Sequence, residues 1–244
     1  MTSNYRQRLF ATYNETHVQQ LDPSDRQKLE WFGEYVARNY LPHLGGFSPA
    51  AAEVLDIGCN KGYLLAVLAG SGYQRLNGID LSPVDVEQAG RVVPTAQVRC
   101  VDAFAYLGER SGRFDIIFIK AVVEHVPKAE TLPLLEAIHR ALKPGGVVLV
   151  DVPNMDWLFA QHERYMDFTH EAGFTRESLM QVMSNVYREV RVVPIDNIRQ
   201  DLSLLDRWKK RAARFVLGKL LVWADPEGGA IPLWARSLLG IGRK

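Results

Sequence analysis

Cysteine is scarce in this sequence. Cys59 and Cys100 are the only two in 244 residues, too few for a disulfide framework, so reduced thiols of a cytoplasmic protein are expected. Net charge is nearly absent as well. The 29 Lys and Arg stand against 28 Asp and Glu, a formal balance of +1, and no charge excess points to nucleic acid. No apolar run approaches the ~18 residues that cross a bilayer. The opening MTSNYRQRLF lacks the apolar core of a secretory leader. Internal repeats and low-complexity tracts are missing too. What is present is 47 % hydrophobic and 23 % charged residues, the proportions of a chain with a sizeable core. The length suits one α/β domain with additions.

After a polar stretch over 1–20, Asp22, Pro23 and Asp25 mark a helix start, and Leu29, Phe32, Val36 and Tyr40 follow at helical spacing. Gly45-Gly46 ends that segment. From residue 52 short apolar runs alternate with helical stretches. The runs are 52–57, 75–81, 96–101, 114–119 and 146–152, with helices at about 61–70, 83–90, 102–109 and 128–142 between them. Continuous apolar strands separated by helices predict a doubly wound, Rossmann-like parallel sheet covered on both faces. A helix at 175–185, a strand at 187–195 and a last strand at 235–242 complete the pattern.

Candidate ligand-binding residues collect at the carboxyl ends of the predicted strands, where open α/β sheets bind ligands. In VLDIGCNKGYL (54–64) a buried strand ends at Asp56 and a turn carries Gly58 and Gly62 into a helix. Glycines there allow positive φ and a close approach of backbone to ligand. Asp80, in GIDLSP (78–83), ends the next strand, where a carboxylate can accept both hydrogen bonds of a ribose diol. Asp102, in CVDAFAYL (100–107), follows the third, where an acid can meet an adenine amino group. The Gly-x-Gly-x-x-Gly spacing is absent and Asp56 precedes the turn, which argues against NAD.

Taken with FDIIFIKAVVEHV and LKPGGVVLVDVPN, these motifs resemble the class I S-adenosylmethionine-dependent methyltransferases over about residues 50–155. The resemblance implies S-adenosyl-L-methionine as donor and a seven-stranded sheet whose last strand, 235–242, is antiparallel. It divides the chain into an N-terminal helical segment (1–45), a methyltransferase core (46–197), a helical insertion (198–234) and the final strand of the core (235–244). It places Asp56, Gly58 and Gly62 at the methionine and ribose, Asp80 and Leu81 at the ribose and adenine edge, and Asp102 and Ala103 at the adenine. Cys59, Asn60 and Lys120 are counted with them as donor-binding candidates. Asn60 stands where a glycine is usual, and Asn tolerates unusual φ.

Glu124 and His125 follow the fourth strand, in front of the donor methyl. A hydroxyl is a poor nucleophile until its proton is removed, so His125 is the candidate base, with Glu124 orienting it. The alternative is that Glu124 caps the next helix and His125 packs against the strand. A second cluster, HERYMDFTHEAGFTRESL (162–179), gathers Arg164, Asp167, Thr169, His170 and Glu171. Arg164, Asp167, His170 and Glu171 are the candidate acceptor-binding residues. With PN (153–154) and SLLGIGRK (237–244), this block resembles a bacterial subgroup associated with surface polysaccharide and O-antigen biosynthesis. That implies O-methylation of a sugar hydroxyl on a glycan, a lipid-linked glycan or a nucleotide sugar. The Glu-His pair is also similar to ubiquinone-biosynthesis O-methyltransferases and small-RNA 2′-O-methyltransferases, whose E-x-x-E-H holds a divalent ion with a further histidine. Ala121 stands at the first Glu position, so Glu124, His125 and His170 would be left to hold a metal such as Mg²⁺, with water.

Residues 202–223 read as a basic amphipathic helix: Leu205, Trp208, Ala212, Phe215 and Val216 share a stripe, and Arg207, Lys210, Arg211 and Arg214 lie elsewhere. Packing on its own domain, a homodimer contact, and peripheral contact with the inner face of a membrane all fit such a helix. The acceptor alternative to a sugar is a lipid or quinone hydroxyl. The non-enzymatic alternative is a donor-binding scaffold in glycan assembly.

Overall fold

A computed structural model of the chain describes residues 9, 25–196, 198, 202–224 and 234–244. The expected helix start at Asp22 and Pro23 lies outside them. Helix α1 (Asp25–Asn39) precedes strand β1 (Glu53–Ile57), and the chain then alternates through α2 (Tyr63–Gly70), β2 (Arg75–Asp80), α3 (Pro83–Val92), β3 (Gln97–Cys100), α4 (Ala103–Gly108), β4 (Phe114–Lys120), α5 (Lys128–Ala141) and β5 (Leu142–Pro153). After these come α6 (Ala160–Tyr165), α7 (Arg176–Ser184), β6 (Glu189–Pro194), α8 (Leu204–Ala224) and β7 (Ser237–Arg243). The sheet order is β3-β2-β1-β4-β5-β7-β6. Strand β7 runs antiparallel between β5 and β6, and the other pairs are parallel, as the sequence predicts.

Local chemistry starts the helices where the chain must turn off the sheet. Ser82 caps α3 through Asp85 N–H, with Pro83 opening the helix. Asp102 caps α4, and a reciprocal Thr175–Ser178 pair caps α7. Strand β5 begins earlier than its apolar run suggests. Leu142 already pairs with Phe114, and a register shift before Ile116 absorbs the turn at Lys143–Gly146.

The central strands β1, β4 and β5 bury both faces, and their side chains divide by the period of two. Leu55, Ile57, Ile117, Ile119, Val148 and Val150 join α5 and α7 in one core. Val54, Ile116, Phe118, Val147 and Leu149 join Tyr35 and Val36 of α1, Tyr40 just after it, and Leu64, Leu65 and Leu68 of α2 in the other. The same parity carries Asp56, Lys120 and Asp151, at the carboxyl ends of β1, β4 and β5, to the α1 side. Chemistry-bearing side chains thus lie on one rim of a rigid sheet.

Candidate active site

The turn after β1 is built on three residues with positive φ: Gly58 at 75°, Asn60 at 44° and Gly62 at 79°. The two glycines are also demanded by protein contacts. A Cβ on Gly58 would lie 2.3 Å from Val122 Cγ2, and one on Gly62 would lie 3.0 Å from Ala89 of α3. Close packing of the turn against the loop after β4 and against helix α3, rather than ligand approach alone, therefore requires them. Asp80 ties the turn down: its carboxylate accepts the N–H groups of Asn60 and Ser82, each at 2.9 Å. Burial raises the Asp80 pKa. Asp56 is pushed up to about 8, first by burial and then by the charge of Asp80, with Lys120 opposing. A cationic ligand in this hollow would restore its charge.

The remaining donor-side candidates divide. Leu81 is exposed on the rim, and Val101 N–H bonds Asp80 carbonyl, so the ends of β2 and β3 sit side by side. Asp102 is exposed, and one of its oxygens accepts the Phe104 and Ala105 N–H groups while Ala103 opens α4. The Cys59 side chain is buried, packed so closely on β2 that a Cβ on Gly78 would meet its sulfur at 2.9 Å. Burial raises that thiol's pKa strongly.

On the other side, a 3-10 turn at Val123–His125 follows β4, entered through Ala121 at φ 52°. The 162–174 loop is fastened to this turn by backbone bonds. Glu124 carbonyl accepts the N–H groups of Glu171 at 2.7 Å and Ala172 at 3.0 Å. Arg164 donates to the carbonyls of His170 (2.7 Å) and Glu171 (3.4 Å), so its guanidinium holds the loop's shape. The fastening brings His125 and His170 to 4.7 Å between ring centroids. One donor atom each from Glu124, His125 and His170 lies within 4.8 Å of the others.

Asp167 and Thr169 orient the His125 ring. Thr169 Oγ1 donates to Asp167 Oδ1 at 2.7 Å and lies 2.8 Å from His125 Nδ1. Its single proton is committed to the carboxylate, so the oxygen accepts from an Nδ1–H. That tautomer leaves the lone pair on His125 Nε2, the atom needed for a base or a metal ligand. Thr169→Val is expected to lower turnover about 10–100-fold and to redistribute the tautomers seen in the ¹⁵N shifts of His125. Thr169→Ser is expected to restore both; unchanged shifts in the valine variant would refute the assignment.

Glu124 is 2 % exposed, and its Oε2 has no hydrogen-bond partner among the described residues. Burial pushes its pKa up to about 8. An orphaned buried carboxylate oxygen beside two imidazoles fits a divalent cation, which would satisfy the oxygen and favour the charged form. Ala121 offers no ligand, as the sequence predicts.

Three residues absent from the sequence-derived site link its halves. Asp151 is buried, and its Oδ2 accepts from Tyr35 and Tyr40 hydroxyls at 2.5 Å each and from Lys120 Nζ at 3.1 Å. Lys120, through its ammonium, also opposes the upward shifts of Asp56 and Glu124. One signal pointed to Asp151, a charge inside the apolar run GVVLVDVP. Nothing in the sequence tied it to tyrosines more than a hundred residues away.

Comparison with known proteins bears on the family and the fold. A family model described as a methyltransferase domain matches residues 28–191, more than half of the chain. The ubiquinone biosynthesis O-methyltransferase of Psychrobacter cryohalolentis is 27 % identical over 146 residues, covering 54 % of this chain and 56 % of that one. Its namesake in Pseudomonas aeruginosa is 33 % identical over 118 residues, covering 46 % and 50 %. The chain thus spans about half the length of the curated relatives it matches. A crystal structure of a SAM-dependent methyltransferase from Archaeoglobus fulgidus superposes with a TM-score of 0.68 at 20 % identity, covering 88 % of this chain and 94 % of that one. The chain belongs to the methyltransferase domain family.

Proposed function

We propose that the chain transfers a methyl group from S-adenosylmethionine to a hydroxyl of an apolar acceptor, a quinone-type phenol or a similar lipid. The observation that carries this reading is the Glu124–His125–His170 cluster, next to the donor turn and fastened to a loop with an apolar surface. Leu158, Phe159, Tyr165, Met166 and Phe168 of the 158–168 stretch are all exposed, a surface suited to a ring with a hydrocarbon tail. The named activity of the curated relatives, O-methyl transfer in ubiquinone biosynthesis, supports the same acceptor class. The sugar acceptor expected from the loop motif has weaker support, because Arg164 and Asp167 are engaged within the loop itself.

In this reading Asp80 takes the donor's ribose hydroxyls, Asp102 and Ala103 line its adenine, and Asp56 with Lys120 sets the charge around its methionine end. His125 Nε2 removes the acceptor's hydroxyl proton. The oxygen attacks the methyl carbon in line, the O–C bond forms as the C–S⁺ bond breaks, and S-adenosylhomocysteine leaves neutral at sulfur. Alignment supplies much of the acceleration, because the sulfonium is already activated. The orphaned Oε2 of Glu124 favours a second arrangement, in which Glu124, His125 and His170 hold a divalent ion. When bound, such an ion lowers the pKa of a coordinated hydroxyl.

Transfer of labelled methyl into a panel of prenylated phenols, nucleotide sugars and lipid-linked glycans tests the acceptor. Faster labelling of the phenols is expected, and labelling of sugars alone would overturn the reading. The same assay with EDTA separates the roles of His125. Activity that survives chelation fits a base; activity lost to EDTA and restored by Mg²⁺ makes His125 a ligand.

A further inference from the structure

Helix α8, Leu204–Ala224, carries apolar surface that is exposed among the described residues. At 100° per residue, Leu204, Leu205, Trp208, Phe215, Val216 and Trp223 fall within an arc of about 120°. Relative exposure is 77 % for Leu204, 67 % for Trp208 and Phe215, and 84 % for Trp223. A contiguous apolar stripe of this size, with two tryptophans, is unusual on a surface that meets only water. Lys210 and Arg211, both exposed, and the half-buried Arg214 occupy the arc beside it. In the whole helix six Lys and Arg stand against Asp206 alone, and Asp206 already faces Lys209 at 3.9 Å. Lys219, inside the apolar arc, lays its ammonium over the Phe215 ring at 5.8 Å, its stem along the stripe and its charge at the edge. No helix among the described residues is long and apolar enough to cross a membrane.

We propose that α8 is an interfacial anchor that lies in the plane of an anionic lipid bilayer, its Trp-bearing stripe in the acyl boundary and its basic arc against headgroup phosphates. The charge pattern favours this occupant over a second copy of the chain. An isologous pairing of the stripes would bring two basic arcs together with no acidic residues to answer them. A lipid surface supplies both the apolar phase and the opposite charge. The anchor is independent of the acceptor assignment, because its readout is partition rather than methyl transfer.

Flotation of the full chain with vesicles of phosphatidylglycerol and phosphatidylcholine, against phosphatidylcholine alone, tests the proposal. The expected result is binding to the anionic vesicles alone, loss of binding at high salt, and a blue shift of tryptophan emission on binding. In Lys210→Glu/Arg211→Glu/Arg214→Glu the partition coefficient is expected to fall by about fivefold or more per residue. Calorimetric uptake of S-adenosylhomocysteine is expected to be unchanged in the same variant, which shows that it is folded. Trp208→Ser/Phe215→Ser is expected to weaken binding while leaving the salt dependence of the residual binding unchanged. The proposal is overturned if the intact chain stays in the aqueous phase. It is also overturned if the chain sediments as a dimer that this serine variant dissociates and no vesicle competes for, or if nucleic acid but not lipid is retained.

Discussion

Replacing His125 with alanine is expected to slow methyl transfer about 10²–10⁴-fold, the usual contribution of a positioned general base. Affinity for S-adenosylmethionine should be unaffected. His125 sits in the turn after β4, whereas the donor turn is organised by Asp80 through Asn60 and Ser82. Calorimetry with S-adenosylhomocysteine and single-turnover kinetics with labelled donor separate the two effects. Donor binding retained with turnover lost places His125 at the reacting hydroxyl. Equal loss of both would show that the residue merely supports the pocket. Full activity in the variant would leave alignment as the main source of acceleration and remove His125 from the mechanism. A wild-type chain that binds donor but methylates nothing would instead favour the scaffold alternative.

Asp151→Ala is expected to be the most destabilising single change at this rim. The carboxylate is 2 % exposed and is the common acceptor for Tyr35, Tyr40 and Lys120. Its removal strands two phenol hydroxyls in the core between α1 and the sheet and leaves Lys120 without its counter-charge. Breaking a buried charged network from one side costs about 3–5 kcal/mol. For a chain of this size that is a fall in melting temperature on the order of 10 °C. Tyr35→Phe and Tyr40→Phe each remove one donor while the carboxylate keeps others, so each should cost much less, about 1 kcal/mol. Thermal unfolding of the three variants tests the ordering. A melting temperature for Asp151→Ala within a degree or two of wild type would mean that water replaces the carboxylate and that the cluster contributes little.

The strand-end acids Asp56, Asp80 and Asp102 were readable from local pattern because each ends a short apolar run whose direction a parallel sheet must share. The Gly58–Gly62 turn was readable too, but the reason for its glycines was not. Val122 and Ala89, which would crowd added Cβ atoms, come from the loop after β4 and from helix α3, which only the sheet brings alongside. His125 stood out in the sequence, whereas the partner that sets its tautomer did not. Thr169 lies 44 residues away and reaches His125 because backbone bonds from Glu171 and Ala172 fasten the loop to Glu124. Arg164 and Asp167 read as acceptor contacts because dense polar residues in a long loop suggest a ligand. In the folded chain their side chains hold that loop in place.

By itself, the sequence determined the alternation of strands and helices, the glycine turn after β1 and the amphipathic pattern of α8. These follow from periodicity and short motifs, which act over a few residues; the antiparallel last strand rested on the family resemblance. Tertiary structure alone decided that Asp151 would join two tyrosines to Lys120, that Glu124 would be buried with an unpartnered oxygen, and that the α8 stripe would stay uncovered. Burial and charge pairing depend on which distant segments meet across the sheet, and nothing in the local pattern carries that information.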